Sequence, residues 1–216
     1  MMRAPLTHAP LLLIGTAFLV PAFRPASLLH AGPLSGYVTL QVVAHEDDDI
    51  LFMNPDIRNM IAAGYGSVTV YLTAGESVGT DDGTQSRELF AASRQEGERA
   101  AYAAMAGIDN VPGAWDRSTL AVRGGNLVEV DTLVAAPHLQ LVFMNLPDGG
   151  DDIPANNLAL LRLHEDLTDS ISTLVPEGTP ITQQYSYSRE QLVGTLVDLM
   201  EMIRPSVVRT LDPHPV

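Results

Sequence analysis

Short apolar runs alternate along most of the chain with segments in which apolar residues recur every three or four positions. The β-branched and apolar content of four runs predicts strands at residues 38–43, 67–72, 139–143 and 206–210. Helical spacing and capping signals predict helices at residues 54–64, 85–106, 158–174 and 188–204. The first strand, helix and strand form a βαβ unit, which predicts parallel pairing with a right-handed crossover. The pattern therefore predicts an α/β fold, a Rossmann-like three-layer sandwich with a mostly parallel sheet.

Residues 115–134 interrupt this alternation. Two apolar stretches, at residues 118–122 and 127–130, flank the turn-forming sequence Arg-Gly-Gly-Asn. This arrangement predicts a small hairpin insertion at the periphery of the sheet. Trp115, at the start of the hairpin, is either a core or sheet-edge aromatic residue or a platform for a sugar ring.

The first predicted strand stops at a histidine that four consecutive acids follow. His45 precedes Glu46, Asp47, Asp48 and Asp49. Open α/β sheets bind their ligands at the carboxyl ends of parallel strands. Imidazole and carboxylate groups are the zinc ligands that remain when no thiolate is present. We therefore predict a metal site here, and the alternative is a solvated acidic turn.

The later strands also end in polar residues, at 73–76, at Asp148 and at 212–214. Since these strands are expected to be parallel, their ends should meet on the edge that carries His45. The acidic loop 148–152 lacks the regular alternation of a calcium-binding EF-hand. On the long second helix, Arg94, Glu96, Glu98 and Arg99 are expected to pair with one another on a solvated surface, and the alternative is contact with the substrate.

The composition excludes several functional classes. The 216 residues include 26 acids and 12 basic residues, and the net charge of -14 argues against nucleic acid or an anionic membrane surface as a partner. A small neutral or cationic ligand fits better. All the basic residues are arginines, which excludes a Schiff-base lysine and the lysine of a P-loop. The lack of cysteine excludes thiol nucleophiles, thiolate metal sites and disulfides.

The N-terminus resembles a secretory signal. Arg3 precedes an apolar run at residues 11–20, which Pro21 and Ala22 close. This run is too short to span a bilayer of about 30 Å, and the small residues after it suit a signal peptidase. We therefore expect a signal peptide and linker at residues 1–34, a single domain at residues 35–216, and a secreted or cell-envelope protein with no membrane span once mature. A retained anchor or a mistranslated start is the alternative.

Residues 44–49, Ala-His-Glu-Asp-Asp-Asp, resemble the Ala-His-Pro-Asp-Asp-Glu signature of the PIG-L/LmbE family of zinc-dependent N-acetylglucosaminyl de-N-acetylases. Glu46 stands where that family usually has proline, and Asp49 where it usually has glutamate. Looser similarity continues in the same order over residues 72–76, 93–102, 146–149 and 204–213. The resemblance is to a secreted bacterial type and covers residues 38–214.

The resemblance implies a function as well as a fold. It implies that His45 and Asp48 bind Zn²⁺ and that Asp47 is the general base. The implied reaction is hydrolysis of the acetamide of an N-acetylated sugar conjugate, such as one of N-acetylglucosamine, to acetate and a free amine. The pocket rather than the metal motif selects the conjugate, so the sequence leaves the substrate itself open.

Two zinc ligands are fewer than the three that a catalytic zinc usually has. In the proteins that this chain resembles, a His-x-Asp-His element after the last strand supplies the third ligand and a catalytic histidine. His214 is the candidate within the chain, but it follows Asp212 too closely to match that element. We therefore expect the third ligand to lie beyond Val216 and the sequence to be truncated at its C-terminus.

Two other classes of function remain open. Residues 75–79 match the Gly-x-Ser-x-Gly pattern of a serine hydrolase, with Ser77 as the nucleophile. The residues after Ser77 are turn formers, whereas a nucleophile elbow runs straight into a helix. The other class is a secreted carbohydrate-binding protein without catalysis, for which the mature chain has few aromatic residues.

Overall fold

A central sheet organises the computed structural model, which describes residues 36–77, 83–148 and 158–212. Six strands build this sheet: β1 (Val38–Val43), β2 (Gly66–Thr73), β3 (Trp115–Ala121), β4 (Leu127–Leu133), β5 (Leu139–Leu146) and β8 (Val207–Thr210). Two further strands, β6 (Ile171–Ser172) and β7 (Ser186–Tyr187), pair with each other in antiparallel orientation. All of the strand segments predicted from the sequence are present.

The six-stranded sheet has the order β3-β4-β5-β2-β1-β8 and is mostly parallel. Strands β8, β1, β2 and β5 are mutually parallel neighbours, whereas β4 is antiparallel to β5 and to β3. The mixed α/β architecture and the hairpin at one margin of the sheet are thus confirmed. Because the four parallel strands share one carboxyl edge, the residues that follow them can converge.

Helices cover both faces of the sheet. The helices are α1 (Asp48–Phe52), α2 (Asp56–Ala62), α3 (Arg87–Met105), α4 (Ala159–His164) and α5 (Arg189–Ile203). Alternate residues of the strands enter two apolar clusters. Leu40 and Val42 belong to the cluster that contains Leu163 of α4 and Leu199 of α5. Their neighbour Val43 belongs to the cluster that contains α2, α3 and Trp115, so Trp115 is a core residue.

The long helices begin where the sequence places their caps. The side chain of Ser86 accepts a hydrogen bond from the backbone of Leu89 and starts α3. Ser188 and Gln191 form the predicted capping box at the start of α5. The third helix ends before Gly107, whose φ of 71° favours glycine.

The helix predicted at residues 158–174 is mostly wrong. Helix α4 ends at His164, Asp166 adopts a positive φ of 55°, and Ile171–Ser172 forms β6 instead. The leucine spacing resembles a helix, but the segment 165–170 is rich in Asp, Thr and Ser, whose side chains compete with helical hydrogen bonds.

Within the described ranges, every helix is too short or too polar to cross a membrane. The predicted signal peptide and linker lie outside these ranges, so they remain a prediction from the sequence.

Candidate active site

The acid motif forms a tight turn between β1 and α1. Asp47 occupies the position before α1 and has a left-handed backbone, with φ 118° and ψ -25°. The backbone N–H of His45 donates to Oδ2 of Asp48 at 2.9 Å, which closes the turn. The side chain of Asp47 is 56% exposed, whereas Glu46, Asp48 and Asp49 are buried. The turn therefore presents one acid to solvent and buries the other three.

His45 lies between two carboxylates. Its Nδ1 is 3.5 Å from Oδ2 of Asp48, and its Nε2 is 3.3 Å from Oδ1 of Asp148. Asp148 follows β5, so the ends of two parallel strands meet here as predicted. The hydrogen bond with Asp148 raises the pKa of His45, and the same bond lowers the pKa of Asp148. The two shifts agree and indicate a charge-assisted pair in the metal-free protein.

Arg94 of α3 contacts the acid turn from the opposite side. Its Nη2 lies 3.1 Å from Oδ1 of Asp47 and also donates to the backbone carbonyl of Glu46. Its Nη1 donates to the carbonyl of Gly75 at 3.1 Å. One guanidinium group thus joins the turn after β1 to the segment after β2.

Glu46 is a buried carboxylate with little compensation. Its side chain is 1% exposed, and neither oxygen has a hydrogen-bond partner among the described residues. The Nε of Arg94 is 3.8 Å from Oε2. Burial raises the pKa of Glu46 to about 7, and the nearby charge of Arg94 opposes this shift. Unpaired buried carboxylates are costly, and they occur where function requires them.

Asp49 anchors the turn in a buried polar network. Its Oδ2 accepts hydrogen bonds from the hydroxyls of Tyr71 at 3.0 Å and Tyr102 at 2.6 Å. Tyr71 also lies within 2.8 Å of Oε2 of Glu98. Since a hydroxyl has one proton, both contacts of Tyr71 are hydrogen bonds when one of the two carboxyl groups is protonated. Burial raises the pKa of Glu98 to about 8, with the charge of Asp49 next in effect, and burial also raises the pKa of Asp49. We therefore expect Glu98 to hold that proton.

Glu76 holds the segment that carries Asp148. Its buried carboxylate accepts the backbone N–H of Asp148 at 3.0 Å and 3.1 Å and pairs with Arg87 at 2.5 Å. Glu76 therefore fixes the backbone position of Asp148, whose side chain contacts His45.

The groups around His45 match part of a zinc site. Two atoms bound to one tetrahedral zinc lie about 3.3 Å apart, and Nδ1 of His45 and Oδ2 of Asp48 have nearly this separation. Metal-binding histidines commonly donate their other ring N–H to a carboxylate, which is the position of Asp148. Among the described residues, no cluster of three or more His, Cys, Asp or Glu side chains could hold a metal. His45 and Asp48 thus fit as two ligands, and His214 lies outside the described residues.

The predicted pairing along α3 is wrong for two residues. Arg99 pairs with Glu96 at 2.7 Å as expected, but it is buried rather than solvated and also bonds to Asp131. Arg94 instead contacts the acid turn, and Glu98 is buried against Tyr71. Sequence reasoning missed the contact of Arg94 with the site, and the available signal was that Arg94 lies in a block similar to the PIG-L/LmbE family.

The described residues around Ser77 do not show a nucleophile elbow. Such a serine lies between a strand and a helix that follows at once, and the first helix after Ser77 among the described residues is α3, which begins at Arg87. The backbone N–H of Ser77 interacts with the carboxylate of Asp148, so this segment supports the site around His45. Residues 78–82 lie outside the described ranges.

A cavity of about 340 Å³ adjoins the site. Pro147 lines it directly before Asp148, and Arg87 lines it beside Glu76. Ser172, Thr173 and Gln184 add hydroxyl and amide groups. Its size lies at the lower end of the range for pockets that hold small molecules.

A mostly parallel sheet with a histidine and carboxylates at its carboxyl edge defines an α/β protein with the layout of an enzyme. The model of the PIG-L family, described as GlcNAc-PI de-N-acetylase, matches residues 40–216. The chain belongs to this family of deacetylases, which act on N-acetylglucosamine-type substrates. No curated protein and no solved structure matches the chain.

Proposed function

We propose that the protein is a zinc-dependent hydrolase that removes the acetyl group from an N-acetylated amino sugar conjugate. Family membership supports the reaction. The assignment of roles to these residues rests on a difference in side-chain exposure between two acids at the end of β1. Asp47 is accessible, whereas Asp48 is nearly buried and directed at His45.

His45 and Asp48 would hold the zinc, and a third protein ligand would complete the site. When bound, zinc would polarise the acetamide carbonyl and lower the pKa of a water molecule toward about 7. Asp47 would accept a proton from the attacking water. The C–N bond of the acetamide would break, the proton taken by Asp47 would pass to the departing nitrogen, and the products would be acetate and the free amine of the sugar. The third ligand is not assigned to a residue, and His214 is a candidate for it.

Other residues of the chain would position the substrate and the ligands. Asp148 would accept the Nε2 proton of His45, which directs Nδ1 toward the metal. The adjoining cavity would accept the remainder of the sugar conjugate, with hydroxyl and amide groups as hydrogen-bond partners. We also propose that residues 35–216 form the catalytic domain and that the protein is exported through a signal peptide in residues 1–34.

The test compares two isosteric variants, Asp47→Asn and Asp48→Asn. We expect the wild type and Asp47→Asn to bind about one zinc per chain and Asp48→Asn to bind none. Turnover of N-acetylglucosamine conjugates should fall about 10²- to 10⁴-fold in Asp47→Asn because the general base is lost.

Zinc is measured by elemental analysis, and turnover by release of acetate. Equal loss of zinc in the two variants would refute the division of roles between Asp47 and Asp48. A wild type without zinc would refute the metal-dependent mechanism.

A further inference from the structure

We infer that Arg94 is a positioning residue, which fixes the carboxylate of Asp47 by holding the acid turn against the end of β2. This inference rests on the proposed function in its claim that Asp47 is the base. The contacts of Arg94 do not depend on that claim. The guanidinium binds the side chain of Asp47 and the carbonyls of Glu46 and Gly75.

Asp47 needs an external support because its backbone conformation is unfavourable. A non-glycine residue with φ 118° costs on the order of 1–3 kcal/mol, which the surrounding structure must offset. Its side chain makes no capping hydrogen bond to α1. Among the described residues, Arg94 is the ion-pair partner of Asp47. The contact uses Oδ1, so Oδ2 is left for a reacting water.

Arginine is the residue type that this position requires. A planar guanidinium offers five donors in a fixed fork, whereas an ammonium group is a single point charge. The two terminal nitrogens of Arg94 contact acceptors on two separate segments, after β1 and after β2. Lysine could keep the charge but could not keep all three contacts.

Two neighbours of Arg94 provide space and charge for the guanidinium. Gly75 has a φ of +53°, and a Cβ atom there would collide with Oε2 of Glu46 and lie 3.0 Å from Cζ of Arg94. Glu46, which stands where the family usually has proline, is buried beside the guanidinium. Glycine at position 75 therefore allows Arg94 to lie between Glu46 and the end of β2. Gly75→Ala should displace Arg94 without removing it.

The experiment compares Arg94→Ala, Arg94→Lys and Gly75→Ala with Arg123→Ala. Arg123 pairs with Asp198 on the surface and does not contact the acid turn, so it controls for the loss of an arginine. For each full-length protein we would measure zinc content, kcat and KM. Each assay of Arg94→Ala is repeated with guanidinium ion at a concentration that does not unfold the protein.

We expect Arg94→Ala to lower kcat about 100-fold, with KM and zinc content nearly unchanged, because a small misplacement of a catalytic group has an effect of this size. Guanidinium should restore part of the lost kcat. Arg94→Lys and Gly75→Ala should give intermediate losses, and Arg123→Ala should resemble the wild type. An unchanged kcat in Arg94→Ala, or a loss of zinc and kcat that guanidinium does not restore, would overturn the inference.

A second measurement does not need enzyme activity. Hydrogen exchange of the amides at residues 45–49 should be faster in metal-free Arg94→Ala than in the wild type, and guanidinium should slow it again. Unchanged exchange in this segment would overturn the inference. If the wild type does not release acetate, the proposed function fails, but the exchange measurement still decides whether Arg94 holds the turn.

Discussion

Two clusters of buried charge contact α3, and they differ in how their carboxylates are paired. Beside the hairpin, Arg99 bonds to Asp131 at 2.7 Å, and Arg117 bonds to Glu129 at 2.6 Å. Glu129 also accepts the hydroxyl of Thr179 at 2.6 Å. At the end of β1, by contrast, four consecutive acids share one arginine, Arg94. Their other partners are the imidazole of His45 and two tyrosine hydroxyls.

The difference separates a structural cluster from a candidate functional one. Each carboxylate beside the hairpin meets a guanidinium group, which offsets part of the cost of burying it. At the acid turn, neither side-chain oxygen of Glu46 has a hydrogen-bond partner among the described residues, and Asp47 has an unfavourable backbone. Burial raises the pKa of Glu98, beside Asp49, to about 8. Unfavourable features of this kind persist when the site requires them. The predictions below test the comparison by changing one charge at a time.

Loss of Arg99 should have the largest effect on stability. Arg99→Ala leaves Asp131 buried with only the more distant Arg117, at 3.7 Å, and this should lower the free energy of unfolding by about 3–5 kcal/mol. Urea unfolding of the metal-free protein measures the change. The double variant Arg99→Met with Asp131→Leu is the control, because removing both charges should cost less than removing one. A change below about 1 kcal/mol in the single variant, the range of a surface pair, would contradict a structural role.

Loss of the Asp148 charge should weaken zinc binding rather than folding. Removal of the carboxylate partner of a metal-binding histidine typically weakens binding about 10- to 100-fold, which we expect for Asp148→Asn. The pKa of His45 should also fall, because the hydrogen bond with Asp148 raises it. Zinc titration measures the first effect, and NMR titration of the metal-free protein measures the second.

Asp166→Asn is the matched control for Asp148→Asn. Asp166 is an exposed acid that pairs with Arg189 far from His45 in the chain. It should leave both the zinc affinity and the pKa of His45 unchanged. If Asp148→Asn also leaves the pKa of His45 unchanged, the charge-assisted pair does not form in solution.

The proton on Glu98 should make stability depend on pH. The ordinary pKa of Glu98 is 4.5, and burial raises it to about 8 in the folded protein. The folded state therefore binds a proton that the unfolded state loses. This contribution to stability is complete below about pH 4.5 and is lost as pH rises through about 8.

Glu98→Gln should reduce this loss by keeping a neutral side chain of the same shape. Between pH 5 and 8 we expect the free energy of unfolding of the metal-free wild type to fall on the order of 3–4 kcal/mol more than that of the variant. Urea unfolding at several pH values measures the difference. Parallel curves for the two proteins would show that Glu98 does not hold the proton.

The sequence predicted the parts of the fold that local patterns determine. The strands, the capping box at Ser188 and the hairpin follow from side-chain periodicity and turn residues within short segments. The parallel order also predicted that Asp148 would lie near His45. Local patterns failed at residues 165–174, where leucine spacing concealed residues that favour turns.

The contacts of Arg94 could not be predicted from the sequence. Their helical spacing predicts that Arg94 and Glu98 form a solvated i,i+4 pair. Their actual partners follow β1 and β2, and Gly75 gives Arg94 the space to reach them. Such a contact depends on how three segments meet in space, which helical periodicity does not record.

Loss of the Asp48 charge should have the smallest effect on the metal-free protein. Asp48→Asn keeps an oxygen that can accept the N–H of His45, and it removes one of four adjacent negative charges. These effects oppose each other, so we expect the free energy of unfolding to change by less than about 1 kcal/mol. Zinc should raise the melting temperature of the wild type, because a ligand that binds the folded state stabilises it, but should not raise that of the variant. Thermal unfolding with and without zinc measures both effects. If Asp48→Asn destabilised the metal-free protein as much as Arg99→Ala, the acid turn would be a structural charge cluster like the one beside the hairpin.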